Sequence, residues 1–251
     1  MTPRTVFVTG ASSGLGRGLA LHYARAGATV HAVARRKAEL DSLVSEAPEG
    51  RILKVVLDVT DSEKLVAAIH RAEEAASGAL DLVIANAGLG ATTHARKMDW
   101  TLAKRVLDVN ATAAGVTLAA ALPAMVARNA GHLVAVSSLA AFRGMPGHSA
   151  YCASKAALHV FMESLRVDLR GTLVRATTIY PGFVKTEMTA KNRFPMPFLM
   201  ELDEAVRVMA RGIEKGKPTI AYPLPLVAMV RSMAALPRSL YEPIAARSRM
   251  S

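Results

Sequence analysis

Short runs of Val, Ile and Leu alternate along the chain with longer Ala-rich stretches whose apolar positions recur every three or four residues. This is the signature of repeated β-α-β units around a parallel sheet. The runs predict strands at 5–8, 29–33, 52–57, 82–85, 132–136, 175–180 and 219–221. Helical periodicity fills the intervals at 14–26, 37–47, 62–76, 100–128, 149–170 and 203–215, and a last amphipathic stretch covers 226–246. Seven strands in this order predict a doubly wound parallel α/β sheet with helices on both faces. The helix at 100–128 carries Ala111, Ala113, Ala114, Gly115, Ala119, Ala120 and Ala121, a small-residue surface suited to close helix packing in the core or at a subunit interface.

Composition narrows the picture. At 251 residues, 51% hydrophobic and 20% charged, the chain can bury a sizeable core, and no Pro/Ser-rich or charged linker divides it, so one domain over 1–251 is expected. The net charge of +11 suits a nucleic acid, an anionic membrane or a phosphorylated ligand. The basic residues are scattered, and no helix-turn-helix, zinc or RNA-binding signature accompanies them, which argues against nucleic acid. Cys152 is the one cysteine, and 1–9 runs straight into a strand pattern with no secretory signature, so a cytoplasmic setting is expected. The apolar stretch 219–230 is short and broken by Pro223 and Pro225, unsuited to crossing a bilayer.

The first strand runs into TGASSGLG, which places Gly10, Gly14 and Gly16 between a strand and a helix. Glycine tolerates positive φ and lacks a Cβ, so such a turn can bring backbone N–H groups and a helix N-terminus against a pyrophosphate; the same glycines also suit an ordinary tight turn. After the second strand, where an NAD-type site usually carries a carboxylate, the chain reads Ala34, Arg35, Arg36. Either arginine, or both, could grip the 2′-phosphate of NADP(H), and NAD(H) is the less favoured cofactor.

Tyr151 and Lys155 stand four residues apart in YCASK, on one helical face. A nearby ammonium and an oxidised nicotinamide both favour phenolate, so together they are expected to lower the phenol's pKa and fit it for acid/base work. Ser138, which leaves the fifth strand's C-terminal end, can donate to a substrate oxygen; Ser137 is its neighbouring competitor. Asn110 is a poor interior helix former, and its amide is expected to distort the helix, to hold a water or to be satisfied within the core.

Taken together, TGASSGLG, Asp58-Val59, Asn86-Ala87-Gly88, Asn110, Ser138, YCASK and PGFVKT at 181–186 resemble the short-chain dehydrogenases/reductases over nearly the whole chain. The resemblance implies a Rossmann-type fold, an NAD(P)-dependent oxidoreductase and no metal. It implies that the glycine loop, with Ser12, Ser13 and Leu15, seats the dinucleotide, that Asp58 and Val59 sit at the adenine, and that Asn86, Ala87 and Gly88 line the cofactor. Pro181, Gly182, Val184 and Thr186 would border the nicotinamide. Tyr151 would exchange the proton, Ser138 would orient the substrate oxygen, Lys155 would bind the nicotinamide ribose, and Asn110 would support a water relay. Ala85 stands where many relatives carry a second Asn. A homodimer or homotetramer through the helices bearing Asn110 and Tyr151 is also implied.

The resemblance also implies that the segment 187–203, EMTAKNRFPMPFLMELD, closes over the substrate, and its Phe194, Met196, Phe198, Leu199 and Met200 favour an apolar carbonyl or alcohol, lipid-like, steroid-like or aromatic. His148 and Cys152 flank Tyr151 and are expected to touch the pocket or to be structural. The stretch 223–251 alternates apolar residues with Arg231, Arg238, Arg247 and Arg249, so peripheral contact with an anionic membrane is one expectation and subunit contact another. The competing functional readings are a sensor that binds NADP(H) without turnover and a membrane-peripheral lipid-modifying enzyme.

Overall fold

The structure, a computed structural model, describes residues 3–92, 94–192 and 194–247. Seven strands, β1 (Thr5–Thr9), β2 (Thr29–Ala34), β3 (Ile52–Val56), β4 (Leu82–Ala85), β5 (Gly131–Val136), β6 (Val174–Pro181) and β7 (Thr219–Tyr222), form one sheet in the order β3-β2-β1-β4-β5-β6-β7. Every neighbouring pair is parallel, with Val6 beside Val30 on one side and Leu82 on the other. The order reverses between β1 and β4, and their C-terminal ends open the crevice where such sheets bind ligands.

Side chains alternate across a strand, so each strand feeds two cores. Val6 and Val8 join Val30, Val134 and Ile179 beneath α1 (Gly14–Arg25), α2 (Lys37–Glu46) and α7 (Leu202–Glu214). Phe7 points the other way, with Val33, Val83 and Leu133, beneath α3 (Ser62–Ala75), α5 (Ala113–Arg128) and α6 (Ser149–Asp168). This is the predicted Rossmann-type arrangement with helices on both faces.

Two predicted helices are interrupted. The run 100–128 divides into α4 (Trp100–Leu107), a π turn at Asp108–Thr112, and α5. As one apolar run of 29 residues it has the length and composition of a membrane span, yet Val106, Leu118, Ala121 and Met125 on it are buried within the protein. The stretch predicted at 226–246 is two helices, α8 (Leu224–Ala235) and α9 (Arg238–Arg247). Pro237 separates them, because a proline forces the preceding residue out of the helical region, and Leu236 is extended at ψ 140°. Neither Arg249 nor the rest of 248–251 lies among the described residues.

Leu118 is fully buried in the core between α5 and the sheet. Leu118→Ala is expected to lower the unfolding free energy by about 2–5 kcal/mol through lost burial and an unfilled cavity. Urea unfolding followed by circular dichroism measures it, and a change below about 1 kcal/mol would contradict this packing.

Candidate active site

The glycine loop is held by groups that reach it from β4. Thr9 Oγ1, at the end of β1, accepts from the backbone N–H groups of Asn86 at 3.0 Å and Ala87 at 3.1 Å. Asn86 Nδ2 in return donates to the carbonyls of Thr9 at 3.0 Å and Gly10 at 3.3 Å. The approach is so close that a Cβ on Gly10, whose φ is +71°, would lie 2.7 Å from Ala87 Cα, and one on Gly16 would lie 2.3 Å from both Asn86 Nδ2 and the Gly10 carbonyl oxygen. Asn86 therefore braces the loop, and Thr9, which the sequence reading passed over, fixes the brace. Thr9 opens the TGASSGLG motif, but its partners lie more than seventy residues away, so its bracing role is visible only in the fold.

The loop delivers the chain into α1, whose first turn carries no acidic residue and whose N-cap residue, Ser13, makes no side-chain capping bond. The positive end of the helix dipole is thus left uncompensated by its own residues, which suits a phosphate. Leu15 packs against the core beneath.

Arg36 crosses to the loop: its guanidinium donates to Ser12 Oγ at 3.1 and 3.2 Å and to Ser13 Oγ at 2.7 Å. It also pairs with Glu187 at 2.9 Å, which joins the cofactor rim to the start of the 187–203 segment. Arg35 instead pairs with Asp58 at 3.3 Å. Burial works against the Asp58 carboxylate, but its bonds from Thr60 together with Arg35 hold its pKa below the ordinary value. Val59 beside it is buried in the core.

Across the crevice, Ser138, Tyr151 and Lys155 converge. The Ser138 side chain hydrogen-bonds the Tyr151 hydroxyl. Lys155 Nζ lies 5.9 Å from the centre of the Tyr151 ring and donates to the Val136 carbonyl at 2.8 Å. Ser137 is buried and donates to the backbone carbonyl of Lys155 at 2.9 Å, a structural bond that leaves Ser138 as the serine at the phenol. Gly88 faces the same group: a Cβ there would sit 3.6 Å from Asn110 Oδ1 and 3.7 Å from Lys155 Nζ.

Asn110 is fully buried in the π turn, where its amide accepts from Leu89 N–H at 2.7 Å and donates to the Leu89 carbonyl at 3.0 Å and to Ser154 Oγ at 3.1 Å. Ser154 in turn donates to the Tyr151 carbonyl at 2.7 Å, a link the sequence reading did not single out. The extra residue of the π turn agrees with the helix distortion expected at Asn110.

Desolvation dominates the electrostatics of the tyrosine-lysine pair. Burial raises the Tyr151 pKa above its ordinary value; the Ser138 hydrogen bond lowers it in part, and Cys152 raises it further. Burial pushes Lys155 down to about 8, which leaves it about ten to one protonated at pH 7. The expected lowering of the phenol's pKa draws on the Lys155 ammonium and an oxidised nicotinamide together; in the protein alone, desolvation of the hydroxyl sets the direction.

PGFVKT closes the crevice. Gly182 N–H donates to the Tyr222 carbonyl at 2.8 Å where β6 leaves the sheet at Pro181, and the backbones of Val184 and Met200 pair. Thr189 Oγ1 bonds the Val184 carbonyl at 2.6 Å and accepts from Thr186 N–H at 3.0 Å. Thr186 abuts the glycine loop, 3.2 Å from where a Cβ on Gly14 would stand. The apolar cluster of the 187–203 segment divides: Met200 is buried in the core, Phe198 and Leu199 are exposed, and Phe194 stands edge-on to both His148 and Phe183 at 5.9 and 6.0 Å. His148 Nδ1 also bonds the Pro146 carbonyl at 3.0 Å, and Cys152 is buried with its thiol pKa raised by burial.

A strand-to-helix glycine loop with no space for side chains, a cationic rim, and a Ser-Tyr-Lys cluster beside Gly88 fit a dinucleotide laid across the switch point. Comparison with known proteins agrees. A family model described as short chain dehydrogenase matches residues 4–196. An uncharacterized oxidoreductase of Myxococcus xanthus is 53% identical over 251 residues, with 99% of each chain covered. An uncharacterized oxidoreductase of Mycobacterium tuberculosis is 34% identical over 246 residues, with 96% of each covered. A crystal structure of a short-chain dehydrogenase from Streptomyces avermitilis superposes with a TM-score of 0.82 at 25% identity, covering 91% of this chain and 92% of its own. Sequence, sheet order and site geometry agree: the chain belongs to the short-chain dehydrogenase family of oxidoreductases.

Proposed function

We propose that this oxidoreductase moves hydride between NADP(H) and an apolar carbonyl or alcohol, with Tyr151 as the proton-exchanging group. The observation that carries the reading is the convergence of Ser138 and the buried Lys155 on the half-buried Tyr151 beside Gly88. Bound dinucleotide supplies or accepts the hydride. The protein's part is to hold the substrate oxygen and manage its proton. Ser138 donates to that oxygen, Tyr151 gives or takes the proton at its hydroxyl, and the Lys155 ammonium stabilises negative charge on the phenol oxygen. Asn110 keeps the π turn in register with α6 through Ser154 and so sets the position of the Tyr151 backbone.

Desolvation of the Tyr151 hydroxyl favours its protonated form, the form that donates to a carbonyl oxygen. Arg36 supports NADP(H) over NAD(H). Its guanidinium is gathered with two serine hydroxyls at the loop, a donor set matched to a phosphate, and a 2′-phosphate would compete with Glu187 for it. Arg35 is committed to Asp58 and is assigned to the adenine side. Phe194, Phe183 and His148 supply an aromatic wall near Tyr151, which supports an apolar substrate.

Tyr151→Phe is expected to cut kcat for carbonyl reduction by roughly 10²–10⁴-fold while the NADPH dissociation constant stays within about twofold. Nicotinamide absorbance and fluorescence titration read the two, and a variant retaining full turnover would refute the assignment.

Arg36→Ala removes a charge-assisted contact and should weaken NADPH binding by roughly 10–150-fold with little change for NADH. Equal loss for both dinucleotides, or an unmodified protein that prefers NADH, would exclude the 2′-phosphate role.

The depressed Lys155 pKa means its ammonium is present below about 8 and lost as pH rises through that value. The kcat/KM for reduction is therefore expected to start falling near pH 8 and to fall further as Tyr151 ionises. In Lys155→Arg, whose charge persists, the first inflection should vanish from the pH profile. Its survival would assign it to another group.

A further inference from the structure

The C-terminal helices have no part in the site described so far, yet they hold the loop that joins Ser138 to Tyr151. Leu226 and Val227 of α8 are buried against Leu139, the residue after Ser138, and against Tyr180. Arg231 of α8 stands over the Phe142 ring at 5.6 Å. Arg143 Nη1 donates to the Ala234 carbonyl near the end of α8 at 3.1 Å, and the same guanidinium lies 4.3 Å from the centre of the Tyr241 ring in α9. The Tyr241 hydroxyl donates to the Gly144 carbonyl. On α9 no residue is fully buried, and the half-buried Tyr241 ties the helix to the 142–147 loop. Tyr241 also lies close enough to Cys152, the residue after Tyr151, for a thiolate there to disfavour its ionisation.

We propose that Arg143 and Tyr241 are positioning residues: they fasten the 142–147 loop to α8 and α9, so that the C-terminal helices form an outer wall of the substrate site and set substrate affinity. This rests on the reading that Ser138 and Tyr151 act on a carbonyl oxygen. The loop leaves Ser138 at one end and enters the first turn of α6, with Tyr151, at the other. Its far side meets the 187–203 segment where His148 touches Phe194. Slack in the loop would therefore widen the space between the Ser138–Tyr151 pair and Phe194, loosening the substrate before it disturbs the dinucleotide, whose glycine loop and Arg36 lie on other segments.

The test uses the full chain with Tyr241→Phe, which deletes the bond to Gly144 and keeps the ring under Arg143, and Tyr241→Leu, which deletes both. Amide hydrogen exchange should quicken across 142–147 and α9 by at least about tenfold in Tyr241→Leu and by less in Tyr241→Phe, with the sheet amides unchanged. With a carbonyl substrate, KM should rise about tenfold in Tyr241→Leu with kcat within about threefold, and Tyr241→Phe should fall between it and the parent. The NADPH dissociation constant should not move. Unaltered loop exchange in Tyr241→Leu, or quickened exchange with an unchanged KM, would overturn the proposal. Failure of the parent chain to reduce any carbonyl would instead count against the reaction, and the exchange measurement, which needs no substrate, separates the two failures.

Discussion

The ammonium of Lys155 is buried, and the acceptor that holds it is the carbonyl of Val136 at the end of β5. Desolvation lowers its pKa to about 8, yet near neutrality it keeps its charge inside the protein, an arrangement that lasts only where partners are fixed. Around it the other parts of the site take their places. Gly88 leaves space on one side, Ser137 ties the lysine's own backbone to the sheet, and the Tyr151 ring lies one helical turn away. Burial works on the two groups in opposite senses, favouring neutral amine and neutral phenol alike. Their relative acidity is thus a balance between desolvation and the charges and hydrogen bonds introduced around them.

The dinucleotide side rests on a second constraint, the absence of space. Two glycines of the loop lie so near Asn86, Ala87 and each other that a methyl group would collide with backbone, and the Asn86 amide spends its donors on the loop's carbonyls. A strand end on one side of the sheet's switch point is thereby locked to its neighbour on the other side, and the crevice between them keeps its shape before any ligand arrives. Arg36 extends the same surface outward and links it, through Glu187, to the 187–203 segment.

The elements proposed to face the substrate are less firmly embedded. Phe194 touches the body by ring edges, Phe198 and Leu199 are exposed, and α9 is anchored through Tyr241. Such elements open and reorder at small free-energy cost, which suits the entry and exit of the apolar substrate proposed above.

The sequence by itself determined the sheet, its helices and the identity of the chemical groups, because strand and helix periodicity and short-range motifs are local properties. It marked Gly10, Gly14, Gly16, Asn110, Ser138, Tyr151 and Lys155, and the structure brings these into one crevice. Only the tertiary structure decided matters that depend on contacts between distant segments. Ser138, not Ser137, reaches the phenol, because successive residues leaving β5 point to opposite sides. Arg36 turns to the glycine loop while Arg35 turns to Asp58. Thr9, Ser154 and Glu187 act through partners far along the chain, which no local pattern announces. The raised Tyr151 pKa reflects solvent exclusion, a property of the folded surroundings that a four-residue spacing cannot encode.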